Sequence, residues 1–181
     1  MHQAREIRNV ALIGFMGAGK TSVGHLLATA LGFRLVDTDQ LIEEQTAKRI
    51  AEIFATEGEA QFRAYERQVL EGLARQSRLV ISTGGGLAAN HENFASLKSH
   101  ALVVCLWASP ETIWHRVGHQ SHRPLLHGPD PLNKIRRLLA EREPFYRQAD
   151  VLVNTEARSV KEVAHQVLHQ FHVAQTVHRA A

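Results

Sequence analysis

The feature that most constrains this chain is Gly14-Phe15-Met16-Gly17-Ala18-Gly19-Lys20-Thr21, set between an apolar run at residues 10–13 and a helical pattern. A glycine-rich turn in that setting commits the chain to a strand, a loop and a helix in succession. Further apolar runs at residues 33–36, 79–81 and 101–107, with a shorter one at 151–153, are rich in Val, Ile or Leu and alternate with helical patterns. Strands that lack polar alternation are usually buried on both faces, as in a parallel sheet covered by helices on either side. The expected fold is therefore α/β and three-layered, with a central parallel sheet of about five strands and helices on both faces. At 181 residues the chain is expected to be a single domain, 1–181. A composition 44% hydrophobic and 22% charged excludes collagen-like, disulfide-scaffold and low-complexity classes.

Periodicity places the helices. Phe62, Val69 and Leu73 recur at helical spacing over about residues 58–75, on a helix that also carries Arg63 and Glu66. Ile135, Leu138 and Leu139 define another, whose inward row continues to Arg142; a charge on that row wants an anionic partner. Val160, Val163, Ala164, Val167, Leu168 and Phe171 mark an amphipathic last helix with Ser159 as its N-cap. From about residue 173 the chain has little to bury and is expected to fray. Residues 118–131 are rich in Gly, Pro and His and long for a passive connection, so about 117–130 are read as a mobile lid.

Lys plus Arg outnumber Asp plus Glu by 21 to 18, too slight an excess to indicate nucleic acid. The single cysteine, Cys105, cannot form an intramolecular disulfide and sits in an apolar run, as expected of a reduced core thiol. No apolar run approaches the roughly 20 residues of a membrane helix, and the polar start lacks a signal peptide's apolar region. A cytoplasmic protein with no membrane partner is expected. Of the 12 His, His115 with His119 and His165 with His169 have the i, i+4 spacing that can hold a metal; without an acidic third ligand, surface imidazoles are expected.

The glycine run matches G-x-x-x-x-G-K-[ST] at every fixed position. Its glycines let successive backbone N–H groups curl round an anion, and the following helix adds its positive end. Lys20 would reach the β and γ phosphates and Thr21 would ligate magnesium, so ATP with Mg²⁺ is expected. The motif alone serves motors, GTPases, transporter ATPases and small-molecule kinases. A small single domain with a lid favours transfer to a small acceptor, and the chain has no Asn-Lys-x-Asp guanine-reading sequence.

Asp37-Thr38-Asp39 closes the second apolar run. If extended, Asp37 and Asp39 project to one side, and at the carboxyl end of a strand they face the glycine loop. One could assist magnesium while the other accepts a hydroxyl proton; the alternative is a turn and helix cap at Asp39 before Leu41-Ile42-Glu43. Ser82-Thr83-Gly84-Gly85-Gly86 follows the third run at the same sheet edge, where glycines leave N–H groups open to a ligand or simply make a tight turn.

Taken in order, these residues resemble the shikimate kinase family. Residues 14–21 resemble its phosphate loop, residues 36–39 its Asp-x-Asp acceptor motif, and Ile53-Phe54, Glu57-Gly58-Glu59 and Phe62-Arg63-x-x-Glu66 its acceptor-binding helices. Residues 83–86, Arg123-Pro124-Leu125-Leu126 and Arg142-x-Pro144-x-Tyr146 complete the pattern. The resemblance implies a phosphate-loop NTPase fold of the nucleoside-monophosphate-kinase-like type. It implies ATP-dependent phosphorylation of the 3-hydroxyl of shikimate, on the route to chorismate and the aromatic amino acids. By the same resemblance Asp39 binds the acceptor hydroxyls and is the base, Arg63 and Arg142 grip the carboxylate, and Gly84, Gly85 and Gly86 lie against the ring. Lys20 and Arg123 would meet the transferring phosphate, and Thr21 and Asp37 would organise Mg²⁺. Gly17, Ala18, Gly19, Lys20, Thr21, Ser22, Arg116 and Arg158 would contact ATP. The acceptor region spans about 37–70, and shikimate and ATP are the expected partners of a monomer. Two positions depart from the pattern: Asn154 stands before Thr155 where Asp is expected, and Val160 falls near a frequent Pro beside the adenine pocket.

Physical chemistry supports these roles without fixing them. Arginine's planar fork donates two parallel hydrogen bonds to a carboxylate, which Lys cannot reproduce. Yet Arg63 could equally form an ordinary helix pair with Glu66, and Arg116, Arg123 and Arg142 could be solvated helix or loop residues. A gluconate-type sugar-acid kinase and a kinase-like metabolite sensor without turnover are the competing functions. The paired arginines, Asp37-x-Asp39 and the triple glycine favour shikimate, and a pure sensor has no chemical need for the full set.

Overall fold

A computed structural model describes residues 5–119 and 130–179. Strand β1 (Asn9–Ile13) is buried along its whole length and pairs in parallel with β3 (Leu79–Ser82) on one side and β4 (Ala101–Trp107) on the other. The edges are β2 (Arg34–Asp37) and β5 (Val151–Asn154), giving a five-stranded parallel sheet in the order β2-β3-β1-β4-β5. Because strand side chains alternate between faces, Val10 and Leu12 enter one core with Val80, Val104 and the helices α1 (Lys20–Leu31) and α8 (Val160–Arg179). Ala11 and Ile13 enter the other with Ile81, Val103 and Cys105. That second layer is covered by α2 (Thr38–Thr46), α3 (Ile50–Thr56), α4 (Gly58–Ala74), α5 (His91–His100), α6 (Pro110–Val117) and α7 (Pro131–Tyr146). The three-layer α/β expectation is met.

The differences from expectation have local causes. Phe33 precedes β2 instead of opening it, and its ring meets Phe171 of α8 edge-on, 5.7 Å between centroids. Leu152 is 50% exposed, since β5 is an edge strand with an incompletely covered face. Asp130 caps α7 by accepting from Asn133 N, and Pro131 sits in the helix's first turn, where its missing N–H costs nothing. Most of the expected lid therefore lies outside the described residues. Ser159 and Glu162 form a reciprocal cap on α8, Ser159 Oγ accepting from Glu162 N at 3.2 Å and Glu162 Oε2 accepting from Ser159 N at 2.7 Å. Helix α8 runs to Arg179, with Ala174 packed on the core and Gln175 donating to the Ile7 carbonyl at 3.4 Å. Cys105 is buried at the centre of the sheet, and burial pushes its thiol up to about 12. Among the described residues no helix is long and apolar enough to cross a membrane, and no three His, Cys, Asp or Glu side chains gather as a metal site.

The connection after β1 leads to β2 on one side of it, while the connection after β3 passes to β4 on the other. Loops that diverge in this way open a crevice beyond the carboxyl ends of the strands.

Candidate active site

That crevice is a cavity of about 840 Å³. Its floor is the glycine loop. Gly17 has φ +77°, and a Cβ there would stand 2.7 Å from Val117 Cγ1, so both backbone and space require glycine. Lys20 turns back over the loop, its Nζ donating to the carbonyls of Gly14 at 2.8 Å and Phe15 at 3.0 Å. Helix α1 begins at Lys20 with no acidic residue in its first turn, so its positive end stays available to an anion. Gly17, Ala18, Gly19, Lys20, Thr21 and Ser22 all line the cavity.

One wall joins the loop to β5. Arg116 on α6 donates to Thr155 Oγ1 at 2.9 Å, to Thr155 O at 2.7 Å and to Gly17 O at 3.3 Å. Asn154 Oδ1 accepts from Glu156 N at 2.7 Å, the turn contact an Asp would make, so this departure from the family pattern keeps the local geometry. Arg158 lines the same wall and donates to Gln166, and Val160 contributes an apolar surface beside Val163.

The opposite wall corrects the extended reading of Asp37-Thr38-Asp39. Helix α2 begins at Thr38, and Asp37 is its N-cap, Oδ1 accepting from the N–H groups of Asp39 at 3.0 Å and Gln40 at 3.3 Å. The capping residue is thus Asp37 and not Asp39. Asp37 Oδ2 accepts from Ser82 Oγ at 3.0 Å, and both carboxylates still line the cavity. Asp39 lies against Gly84, where a Cβ would collide with Oδ1. The Gly84 N–H donates to Thr38 Oγ1 at 3.0 Å, tying the glycine turn to the start of α2. Burial, with Asp37 and Glu66 adding like charge against the pull of Lys20, raises Asp39 to about 6. Its Oδ1 is buried with no hydrogen-bond partner among the described residues, which marks it for a ligand.

Two arginines converge on the glycine turn. Arg63 on α4 pairs with Glu66 at 2.8 Å and Glu59 at 2.9 Å, and Glu66 is 1% exposed. Burial pushes the Glu66 carboxyl up, while its bond to Arg63 pulls it down. The pairing does not turn Arg63 away: both its Nη atoms would stand 3.4 Å from a Cβ on Gly86. Arg142 on α7 donates to Gly85 O at 2.9 Å and rests on the Phe15 ring, 5.1 Å from its centroid. Arg142, Gly84, Gly85 and Gly86 line the cavity; Arg63 touches the turn without lining it. Arg123 lies outside the described residues. Sequence reasoning missed the hydroxyls of Thr38 and Ser82, which hold Gly84 and Asp37, though each adjoins a motif residue it had singled out.

The fold is shared with a gluconokinase from Sinorhizobium meliloti, TM-score 0.66 at 19% identity over 99% of each chain. It is shared more closely with a shikimate kinase from Acinetobacter baumannii in complex with shikimate, TM-score 0.86 at 37% identity over 93% of this chain and 95% of that one. Fold and site define a phosphate-loop kinase. The shikimate kinase family model matches residues 16–172, and the shikimate kinase of Deinococcus radiodurans is 47% identical over 159 residues, 88% of this chain and 81% of the relative. That of Thermodesulfovibrio yellowstonii is 41% identical over 165 residues, 91% of this chain and 95% of the relative. The chain belongs to the shikimate kinase family.

Proposed function

We propose that this chain transfers the γ-phosphoryl group of ATP to the 3-hydroxyl of shikimate, a step on the route to chorismate, and that the residues above divide the work. The observation that carries this reading is that one cavity is lined by Lys20 and Thr21 of the glycine loop together with Asp39 and the Gly84–Gly86 turn. Arg63 and Arg142 would take the shikimate carboxylate, whose planar pair of oxygens suits guanidinium groups. Gly84, Gly85 and Gly86 offer no side chain to obstruct the ring. Asp39 would orient the hydroxyl; raised to about 6, it is ionised at neutral pH yet basic enough to take a proton. As the hydroxyl oxygen bonds to the γ-phosphorus its proton passes to Asp39, the bond from that phosphorus to the β–γ bridging oxygen breaks, and ADP leaves.

Lys20, the loop N–H groups of Gly17, Ala18 and Gly19, and Ser22 would hold the phosphates, with Arg123 adding positive charge to the transferring group. Arg116 and Arg158 would flank the base. Thr21 and Asp37 are hard oxygen donors on one cavity, a donor set that fits Mg²⁺; the ion, when bound, neutralises phosphate charge. The expected working unit is a monomer, and the single thiol suits a reducing cytoplasm.

The test is ADP release from MgATP by the purified protein without acceptor, with shikimate and with gluconate, with Lys20→Ala as the contamination control. Shikimate-dependent release that disappears in the variant is expected. Release with gluconate alone, or shikimate binding without turnover, would overturn the reading.

A further inference from the structure

The way α7 holds Arg142 is unusual. Pro144 lies inside the helix, two residues beyond Arg142. A proline there has no N–H to offer the carbonyl of Ala140, and its ring crowds that carbonyl, so the helix loses a rung in the turn that carries Arg142. Ala140 is exposed and its carbonyl can turn to water, but the turn itself is loosened. What restrains it lies outside the helix. Tyr146 stands four residues after Arg142 and so on the same face. It is 3% exposed, and its hydroxyl donates to Gly85 O at 3.1 Å. That is the carbonyl to which Arg142 Nη1 donates at 2.9 Å.

A carbonyl oxygen has two lone pairs and can satisfy both donors at once. Burial pushes the Tyr146 hydroxyl up to about 12, so it remains a donor through the neutral range. The Phe15 ring beneath the guanidinium supports its face, and the Gly85 carbonyl then sets the direction in which it presents its remaining N–H groups.

We infer that Tyr146 is a positioning residue: by sharing the Gly85 carbonyl with Arg142 it latches the proline-loosened last turn of α7 to the glycine turn after β3 and fixes the pose of Arg142 toward the acceptor. Without the hydroxyl the Gly85 peptide is held from one side only, and Arg142 moves with it. The inference rests on the proposed role of Arg142 at the shikimate carboxylate.

Tyr146→Phe keeps the ring and its packing and removes one donor. The KM for shikimate is expected to rise about fivefold, roughly 1 kcal/mol, with kcat and the KM for ATP changed by less than about twofold. Shikimate methyl ester, which lacks the carboxylate charge, should show the same KM with wild type and variant. In an Arg142→Lys background the tyrosine substitution should add nothing further. Calorimetric titration of shikimate should repeat the fivefold loss. An equal rise for acid and ester, an equal rise for ATP, an additive effect in the Arg142→Lys background, or no change would each overturn the inference. The wild-type arm tests the proposed function by itself: if shikimate does not saturate it, that reading fails and this one with it, whereas saturation with an unaltered variant removes only the latch.

Discussion

The proposed nucleotide half of the cavity and the proposed acceptor half line one crevice, yet they are built by different means. Residues 17–22 supply one floor from a continuous stretch, largely through backbone N–H groups and the start of α1. The acceptor half is assembled from side chains on α2, α4 and α7 against the turn after β3, with Arg142 reaching Gly85 across 57 residues of sequence. A site made of backbone is set by local conformation, whereas a site made of side chains depends on every element that carries one. The first arrangement suits a ligand common to many proteins, and the second lets specificity change without disturbing the phosphates.

The sharpest way to break that comparison is Asp39→Asn. It should lower turnover by about a thousandfold, within the range for loss of a positioned acid or base, while ATP affinity by calorimetry stays the same. Unchanged turnover would remove Asp39 from the chemistry. Two glycine substitutions then set the halves against each other, each with an expected effect of about a hundredfold. Gly17→Ala, strained at φ +77° and crowding Val117, should weaken ATP. Gly84→Ala, which drives a methyl into the Asp39 carboxylate, should lower kcat and leave ATP binding intact. Kinetics in which each substitution weakened ATP binding and lowered kcat alike would show the halves to be one unit.

Arg63→Ala should raise the KM for shikimate about 30-fold, near 2 kcal/mol, with ATP little affected; equal losses for both ligands would contradict the division. The same variant should melt lower, because Glu66 is left buried without its main partner. The mildest effects are those of pH. Asp39 must be ionised to accept a proton, so kcat/KM for shikimate, which follows the unliganded protein, should be halved near pH 6 and fall about tenfold per unit below it. The stability effect has the opposite sense. Asp39 rises from 3.8 to about 6 on folding, so its ionised form opposes folding above pH 6 and the cost vanishes below pH 3.8. Asp39→Asn should therefore raise the melting temperature at pH 8 by a few degrees and leave it unaltered at pH 3.5. A uniform shift at both values would assign the effect to packing.

The same division explains what the sequence made legible. The glycine loop, the strand runs and the layer order follow from local spacing, and the five strands lie within a residue or so of their apolar runs. Asp37 and Asp39 could be named, but not their geometry, because whether the chain stays extended or turns into α2 depends on a cap formed by Asp37 itself. For Arg63 the helix pair and the site role looked like alternatives; the guanidinium has enough N–H groups for Glu66, Glu59 and the glycine turn together. The partners of Thr38, Ser82 and Tyr146 were out of reach, since they are set by the β2–β3 register and by the docking of α7. Gln175 of α8 meets Ile7 across 168 residues, a contact that periodicity does not contain.

Cys105 gives the chain a silent sulfur background. Enclosed between β1 and β5 and held protonated to about pH 12, it should react slowly with maleimides and iodoacetamide, which require an accessible thiolate. Cysteines introduced at Ala30 on α1 and Ala51 on α3, both exposed and on opposite layers, would then be the only readily labelled sites. A dye pair placed there would follow the acceptor helices against the nucleotide layer during turnover, with every native residue elsewhere in place.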